Sequence, residues 1–193
     1  MRTVMLQDWK SLTFLHWRVD AGAMQQRLPK GLEVATFDGS AWVGMTPFEL
    51  SNLRAPLAPA VPWVSTFPET NLRTYVRSRW GKPGIWFFTL EAARWLAVAG
   101  ARVAYGLPYR WARMSVEESA EKMHYRSRRH ADSGTGYDIE ILKGEPIDAS
   151  PLEVFLTARF RLYTSLWGKL AFADWSTSHG RFSARRLCGC RKL

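Results

Sequence analysis

Residues Asn71–Arg79 alternate, with Leu72, Thr74 and Val76 on one face and Arg73, Tyr75 and Arg77 on the other. A two-residue period is the signature of a strand. The same reading applies to Leu12–Trp17, Leu32–Phe37, Ala41–Leu50, Ile85–Leu90, Met114–Glu121, Lys122–Arg129, Tyr137–Lys143 and Leu166–Phe172. Pro47 is expected to mark an edge or a bulge, because proline cannot donate to a ladder. Helical spacing is confined to three stretches. Asp20 can cap Ala21–Leu28, which Pro29-Lys30-Gly31 stops. Glu91–Tyr105 is alanine-rich and ends at Gly106, and Leu152–Leu162 follows Pro151 at an allowed first-turn position. Asp38-Gly39 and Ser133-Gly-Thr-Gly136 read as hairpin turns. Many strands with few helices predict an α+β fold, mostly antiparallel, as a barrel or sandwich.

The chain has 193 residues, the length of one domain. Ten tryptophans and a 47% hydrophobic composition exclude a disordered chain. No apolar run approaches the roughly 20 residues of a membrane span, and MRTVMLQDWK lacks the apolar stretch of a secretory signal. Two cysteines, Cys188 and Cys190, do not make a disulfide framework, so a cytoplasmic location is expected.

Net charge is +10. Half of it lies in residues 176–193, where Arg181, Arg185, Arg186, Arg191 and Lys192 meet no acid. All the tryptophans precede this segment and both cysteines lie in it. The expected division is therefore one domain over 1–175 and a basic tail over 176–193. The tail is either an arm for an acidic surface or peptide read out of frame. Read one base earlier with GC-rich codons, residues 176–188 can encode E-H-x-P-W-P-L-Q-R-A-E-V-V, which has the look of ordinary protein.

Candidate chemistry is sparse. His16, His124, His130 and His179 form no spaced pair for zinc. There is no G-x-S-x-G elbow and no phosphate-binding glycine loop. Lys122–His130 is the densest basic run in the body. Alternation places Met123, Tyr125 and Ser127 on one face and His124, Arg126 and Arg128 on the other. Pro56, Pro59, Pro62 and Pro68 make residues 54–68 a loop, whose Leu57, Val61, Trp63, Val64 and Phe67 are expected to pack over something, as loops covering a pocket do. Just after it, Glu69, Asn71 and Arg73 gather a carboxylate, an amide and a guanidinium at a strand entrance. That set can orient a small polar ligand.

Seven blocks in order carry a resemblance: L-H-W-R-V from Leu15, L-P-K-G-L-E-V from Leu28, F-D-G-S-A-W-V-G from Phe37, F-P-E-T-N-L-R-T-Y-V from Phe67, G-I-W-F-F-T-L from Gly84, L-P-Y-R-W-A-R-M from Leu107 and Y-R-S-R-R from Tyr125. Over about residues 5–174 the chain resembles the YqjF-like bacterial family, grouped with the acetoacetate decarboxylase-like superfamily. The resemblance implies a cone-shaped, largely antiparallel β-barrel with flanking helices and an interior pocket. It also implies that the family sequence continues through a segment like the H-x-P-W-P string. Decarboxylases of that superfamily form a Schiff base on a lysine whose neighbour is a second lysine, in a segment after a proline. Here that place is Pro108-Tyr109-Arg110. Tyrosine cannot form an imine and arginine stays protonated, so acetoacetate decarboxylation is not expected. The expected function is binding of a small anionic or carbonyl-bearing molecule. Tyr109 and Glu69 would hydrogen-bond or move a proton, and Arg110, Arg73, Asn71 and Trp111 would hold the ligand. No cofactor and no metal is expected, and oligomerisation is left open. The alternative is a nucleic-acid or anionic-surface binder using the 122–130 strand and the tail.

Overall fold

In a computed structural model the described residues are 6–55, 57–61, 63–166, 168–174 and 184–185. Strands are β1 (Leu6–Lys10), β2 (Leu15–Val19), β3 (Leu32–Val34), β4 (Ala41–Arg54), β5 (Phe67–Ser78), β6 (Pro83–Ala92), β7 (Tyr109–Glu118), β8 (Lys122–Arg129), β9 (Gly136–Leu142), β10 (Pro146–Ile147), β11 (Arg161–Leu166), β12 (Lys169–Asp174) and β13 (Ala184–Arg185). Helices are α1 (Ala21–Gln25), α2 (Trp95–Tyr105) and α3 (Pro151–Thr157). Apart from Ala184 and Arg185, paired with β10, the tail expected at 176–193 lies outside the described residues.

The main sheet runs β1-β4-β5-β6-β7-β8-β9, with β2 also on β4, β3 on β5, and the β11–β12 hairpin on β6. Pairing is antiparallel except where β6 meets β7 and β11. The fold is α+β and mostly sheet, as expected, but the ladder does not close into a barrel. Side chains bridge the gap: Ser11 Oγ donates to Glu118 at 2.6 Å, and Tyr125 Oη donates to the Ser11 carbonyl at 2.6 Å.

Local signals act as read at Asp20, whose carboxylate accepts from Ala23 N–H at 2.7 Å, and at Gly106, which ends α2 in the left-handed conformation. A signal not read from the sequence is the reciprocal capping box of Ser150 and Glu153 on α3. One expectation holds and two need correction. Pro47 is internal to β4 but marks an irregularity in the pairing, since between Lys10↔Glu49 and Leu15↔Met45 residues 11–14 stand opposite residues 46–48. Its carbonyl accepts from Thr13 N–H, so its missing N–H points at the seam between β1 and β2, where no strand needs it. Glu91 and Ala92 belong to β6, not to α2, and Tyr109 and Arg110 begin β7 directly after the turn at 106–108. In the proline loop, Leu57, Val61 and Trp63 are exposed, Trp63 by 82%. Ser65 explains this: it accepts from Val61 N–H and donates to Leu53 O, pinning the stem and leaving the tip outside.

Cores lie on both faces of β4–β5–β6. One face packs Trp42, Tyr75, Ile85, Phe87 and Leu90 against Leu156 of α3, and Phe48, Leu50 and Ala92 against Val98 of α2. The other packs Leu15 and Met45 against Met123, Tyr125 and Ile141 of β8–β9.

Candidate functional site

The two-residue period of β5 sends Glu69, Asn71, Arg73 and Tyr75 to the helix-covered face, and all four are buried. This row is the candidate site. Opposite it on β4 stand Phe48, Thr46 and Gly44.

At one end Tyr109 donates to both oxygens of Glu69, 3.1 Å from each. Glu69 is 5% exposed, and no cation within salt-bridge distance of it is found among the described residues. Burial pushes its pKa up to about 8, against the opposing pull of the Tyr109 hydrogen bond. At neutral pH it is therefore mostly a neutral acid. Burial, and then the Glu69 carboxyl, push the Tyr109 phenol well above its usual range.

In the middle, Asn71 and Thr46 are register partners, and Asn71 Oδ1 and Thr46 Oγ1 are both buried without a hydrogen bond. Orphaned polar atoms are costly in a folded core and call for a partner.

At the other end Tyr75 Oη–H donates to the Leu156 carbonyl at 2.7 Å, and His16 Nε2 lies 2.6 Å from the same hydroxyl. With the phenolic proton given to Leu156, His16 is left to donate. Burial, and then Arg73, lower its pKa to about 3, so the ring is neutral. Gly44 makes this contact: a Cβ there would stand 3.0 Å from Tyr75 Oη and 3.1 Å from the His16 ring. Arg73 donates to Leu156 O at 3.4 Å and lies 5.0 Å from the Phe14 ring centroid.

Of the residues expected to act together, Tyr109, Glu69, Asn71 and Arg73 share this face. Arg110 and Trp111 do not join them. They line a separate cleft of about 170 Å³ with Val98, Arg102, Arg129 and His130, where Trp111 stacks on His130 at 3.8 Å. Alternation separates Arg110 from Tyr109 once both lie in a strand. A second cavity of about 220 Å³ lies between Phe87, Leu107, Pro108 and Tyr163. Sequence reasoning missed His16, Tyr75, Thr46 and Arg159. His16 lay within the L-H-W-R-V block, but nothing local told that its ring meets a tyrosine 59 positions away.

The described lysines stand away from the row. Lys10, Lys30, Lys82, Lys122 and Lys169 are exposed, and Lys143 is ion-paired with Glu118.

The profile of DUF2071, a family of uncharacterized conserved proteins, matches residues 6–188. The chain belongs to the DUF2071 family. Its match runs past Trp175, where the likeness was expected to end. This DUF2071 chain is 41% identical over 177 residues to the uncharacterized protein YqjF of Bacillus subtilis (strain 168), covering 89% of the chain and 72% of that relative. Solved structures share the fold at low identity. An acetoacetate decarboxylase-like enzyme from Sphingomonas wittichii RW1 aligns with TM-score 0.64 and 15% identity, over 97% of this chain and 72% of that one. The acetoacetate decarboxylase of Legionella pneumophila subsp. pneumophila str. Philadelphia 1 gives 0.61 and 14%, over 85% of this chain. The DUF2071 chain spans only 61% of that enzyme's length. The enduracididine biosynthesis enzyme MppR complexed with pyruvate gives 0.58 and 14%, over 83% and 65%. No helix among the described residues is long and apolar enough to cross a membrane.

Proposed function

We propose that this protein binds a small carbonyl- or carboxylate-bearing molecule along the inner row of β5, without Schiff-base chemistry. The observation that carries the reading is the Glu69–Tyr109 pair: a buried carboxyl kept protonated by desolvation, hydrogen-bonded to a phenol and to no cation. A neutral acid near pH 7 suits proton transfer at a carbonyl oxygen or at the carbon beside it. Tyr109 orients the carboxyl and can donate to the same oxygen. Asn71 and Arg73 supply further polar contacts to the ligand. MppR has been solved with pyruvate, which is support by analogy of fold alone. The lysines of the described residues lie too far out or are engaged with acids, so imine formation has no amine to start from.

The test is a thermal-shift screen of small keto acids, carboxylates and aldehydes. A ligand that binds only the folded state raises the melting temperature. For the aldehydes, which carry a carbonyl and no carboxylate, the rise is expected to vanish in Glu69→Gln and Tyr109→Phe, with no adduct after borohydride treatment. A borohydride-trapped lysine, or shifts indifferent to both substitutions, overturns the reading. The division into a 1–175 domain and a 176–193 tail is kept as part of the proposal. Sequencing the DNA past the Trp175 codon decides whether the tail is in frame.

A further inference from the structure

The Arg73 end of the row has a second arginine. Arg159 follows α3 by two residues and is part-buried. Its guanidinium carbon lies 4.4 Å from the Phe155 ring centroid and 6.0 Å from that of Tyr75. The Arg73 guanidinium lies 5.7 Å from the same Tyr75 ring. Each arginine has a buried Nε with no hydrogen-bond partner. Arg73 is itself 5% exposed. No carboxylate pairs with either among the described residues; the acids in ion pairs, Glu91, Glu117, Glu118, Asp138, Glu140 and Asp174, all hold other cations. Of the other titratable neighbours, His16 is neutral, and Arg77 adds a further positive charge near Arg159.

A buried cation without a counter-charge is expensive unless something negative comes to it. In this structure the nearest substitute is the Leu156 carbonyl oxygen, which accepts from both Tyr75 Oη and Arg73 Nη2. A carbonyl oxygen carries only partial charge and leaves both Nε–H groups unused. A guanidinium fork is matched to the two oxygens of a carboxylate.

We propose that Arg73, Arg159 and the Tyr75 hydroxyl form a carboxylate subsite, in which the bound carboxylate takes over the hydrogen bonds now made to Leu156 O. This inference rests on the small-ligand reading above and extends it. Along β5, Arg73 and Glu69 are four residues apart, about 13 Å at ~3.3 Å per residue. The group held by the arginines is thus not the group that Glu69 and Tyr109 address. A ligand that engages both ends is extended, with its middle beside Asn71 and Thr46.

The experiment is titration calorimetry of the full chain with sodium acetate at pH 7, in chloride-free buffer of fixed ionic strength. Arg73 is buried and its replacement can disturb folding, so the part-buried Arg159 carries the test, with folding checked by near-UV circular dichroism. Acetate is expected to bind saturably. Arg159→Gln is expected to weaken binding about tenfold or more, the loss of a charged hydrogen bond, Arg159→Lys less, and Arg126→Gln, an exposed arginine paired with Glu117, not at all. Absence of saturable binding, or equal affinity in wild type, Arg159→Gln and Tyr75→Phe, overturns the subsite. Binding that is lost in Glu69→Gln but kept in Arg159→Gln overturns it too, while leaving the proposed function standing. Acetate binding that depends on Arg159, together with carbonyl probes indifferent to Glu69→Gln, upholds the subsite and removes the proposed function instead.

Discussion

Glu69 and Glu91 are two buried carboxyls on neighbouring strands, at opposite faces of one sheet, 5% and 7% exposed. Glu91 faces β8, where Ser127 Oγ donates to it at 2.5 Å and Arg129 Nε at 2.7 Å. Glu69 faces the helices and has a phenol. The arginines divide in the same way. On the outer face of β8, Arg126 pairs with Glu117, Lys122 with Glu140 and His124 with Asp138. On the inner face of β5, Arg73 has a carbonyl and aromatic rings. Glu91, Lys122, His124, Arg126 and Arg129 each have a partner of opposite sign. The inner face of β5 holds an acid without a base and bases without an acid, about 13 Å apart along a strand. The difference teaches that the density of charged letters is a poor guide to a site. The basic run at 122–130 is the richest in the body, and its neighbours largely neutralise it.

That contrast can be broken most sharply at Glu91. Glu91→Ala strips the counter-charge from a largely buried Arg129 and a buried Ser127, and is expected to cost about 3 kcal/mol or more, read from urea unfolding. A cost below about 1 kcal/mol would mean that Glu91 is not the counter-charge Arg129 depends on.

The next effect is a pH dependence. Glu69 has a folded pKa of about 8 against an ordinary 4.5, so the folded state retains a proton that the unfolded state loses. Its stabilising effect is full below pH 4.5 and fades as pH rises to 8. His16 is the reverse: its pKa drops from 6.5 to about 3, so its contribution fades as pH falls from 6.5. Between 4.5 and 6.5 the two slopes cancel. Between pH 6.5 and 8 Glu69 acts alone, at about 1.4 kcal/mol per pH unit, or about 2 kcal/mol in all. Glu69→Gln should remove that decline, measured as the difference between variant and wild type at pH 6.5 and 8. A difference independent of pH would show that Glu69 is ionised throughout.

A smaller effect of opposite sign is expected at Arg73. Arg73→Met keeps the bulk and deletes a buried charge with no carboxylate partner, so in carboxylate-free buffer it should raise stability by about 1 kcal/mol. A clear loss would argue that the Leu156 contact already satisfies the guanidinium. Smallest is Arg126→Ala on the outer face: an exposed pair changes stability by less than about 0.5 kcal/mol, which a chemical melt can verify.

Particular residues show how far letters alone could go. The period of Leu72–Arg77 put Arg73 and Tyr75 on one face, and the Phe67–Val76 block singled out Glu69, Asn71 and Arg73. Those inferences need only the two-residue repeat of a strand. Tyr109 and Arg110, adjacent after Pro108, were expected to serve one ligand. The chain enters β7 there, and a strand sends adjacent side chains to opposite faces, so only Tyr109 reaches Glu69. The apolar tip of the proline loop was expected to pack, but Ser65 anchors the stem and holds Trp63 outside.

By itself the sequence determined most of the central strands, the cap at Asp20, the left-handed stop at Gly106 and the family resemblance, because each is written in residues a few positions apart; it missed β1 and ran the third helix on to Leu162, which belongs to β11. Only the tertiary structure decided which charges are answered. The partners of Glu69, Glu91, Tyr75 and Arg73 lie 40, 38, 81 and 83 positions away. Whether a buried charge meets its opposite depends on which strands the sheet brings together.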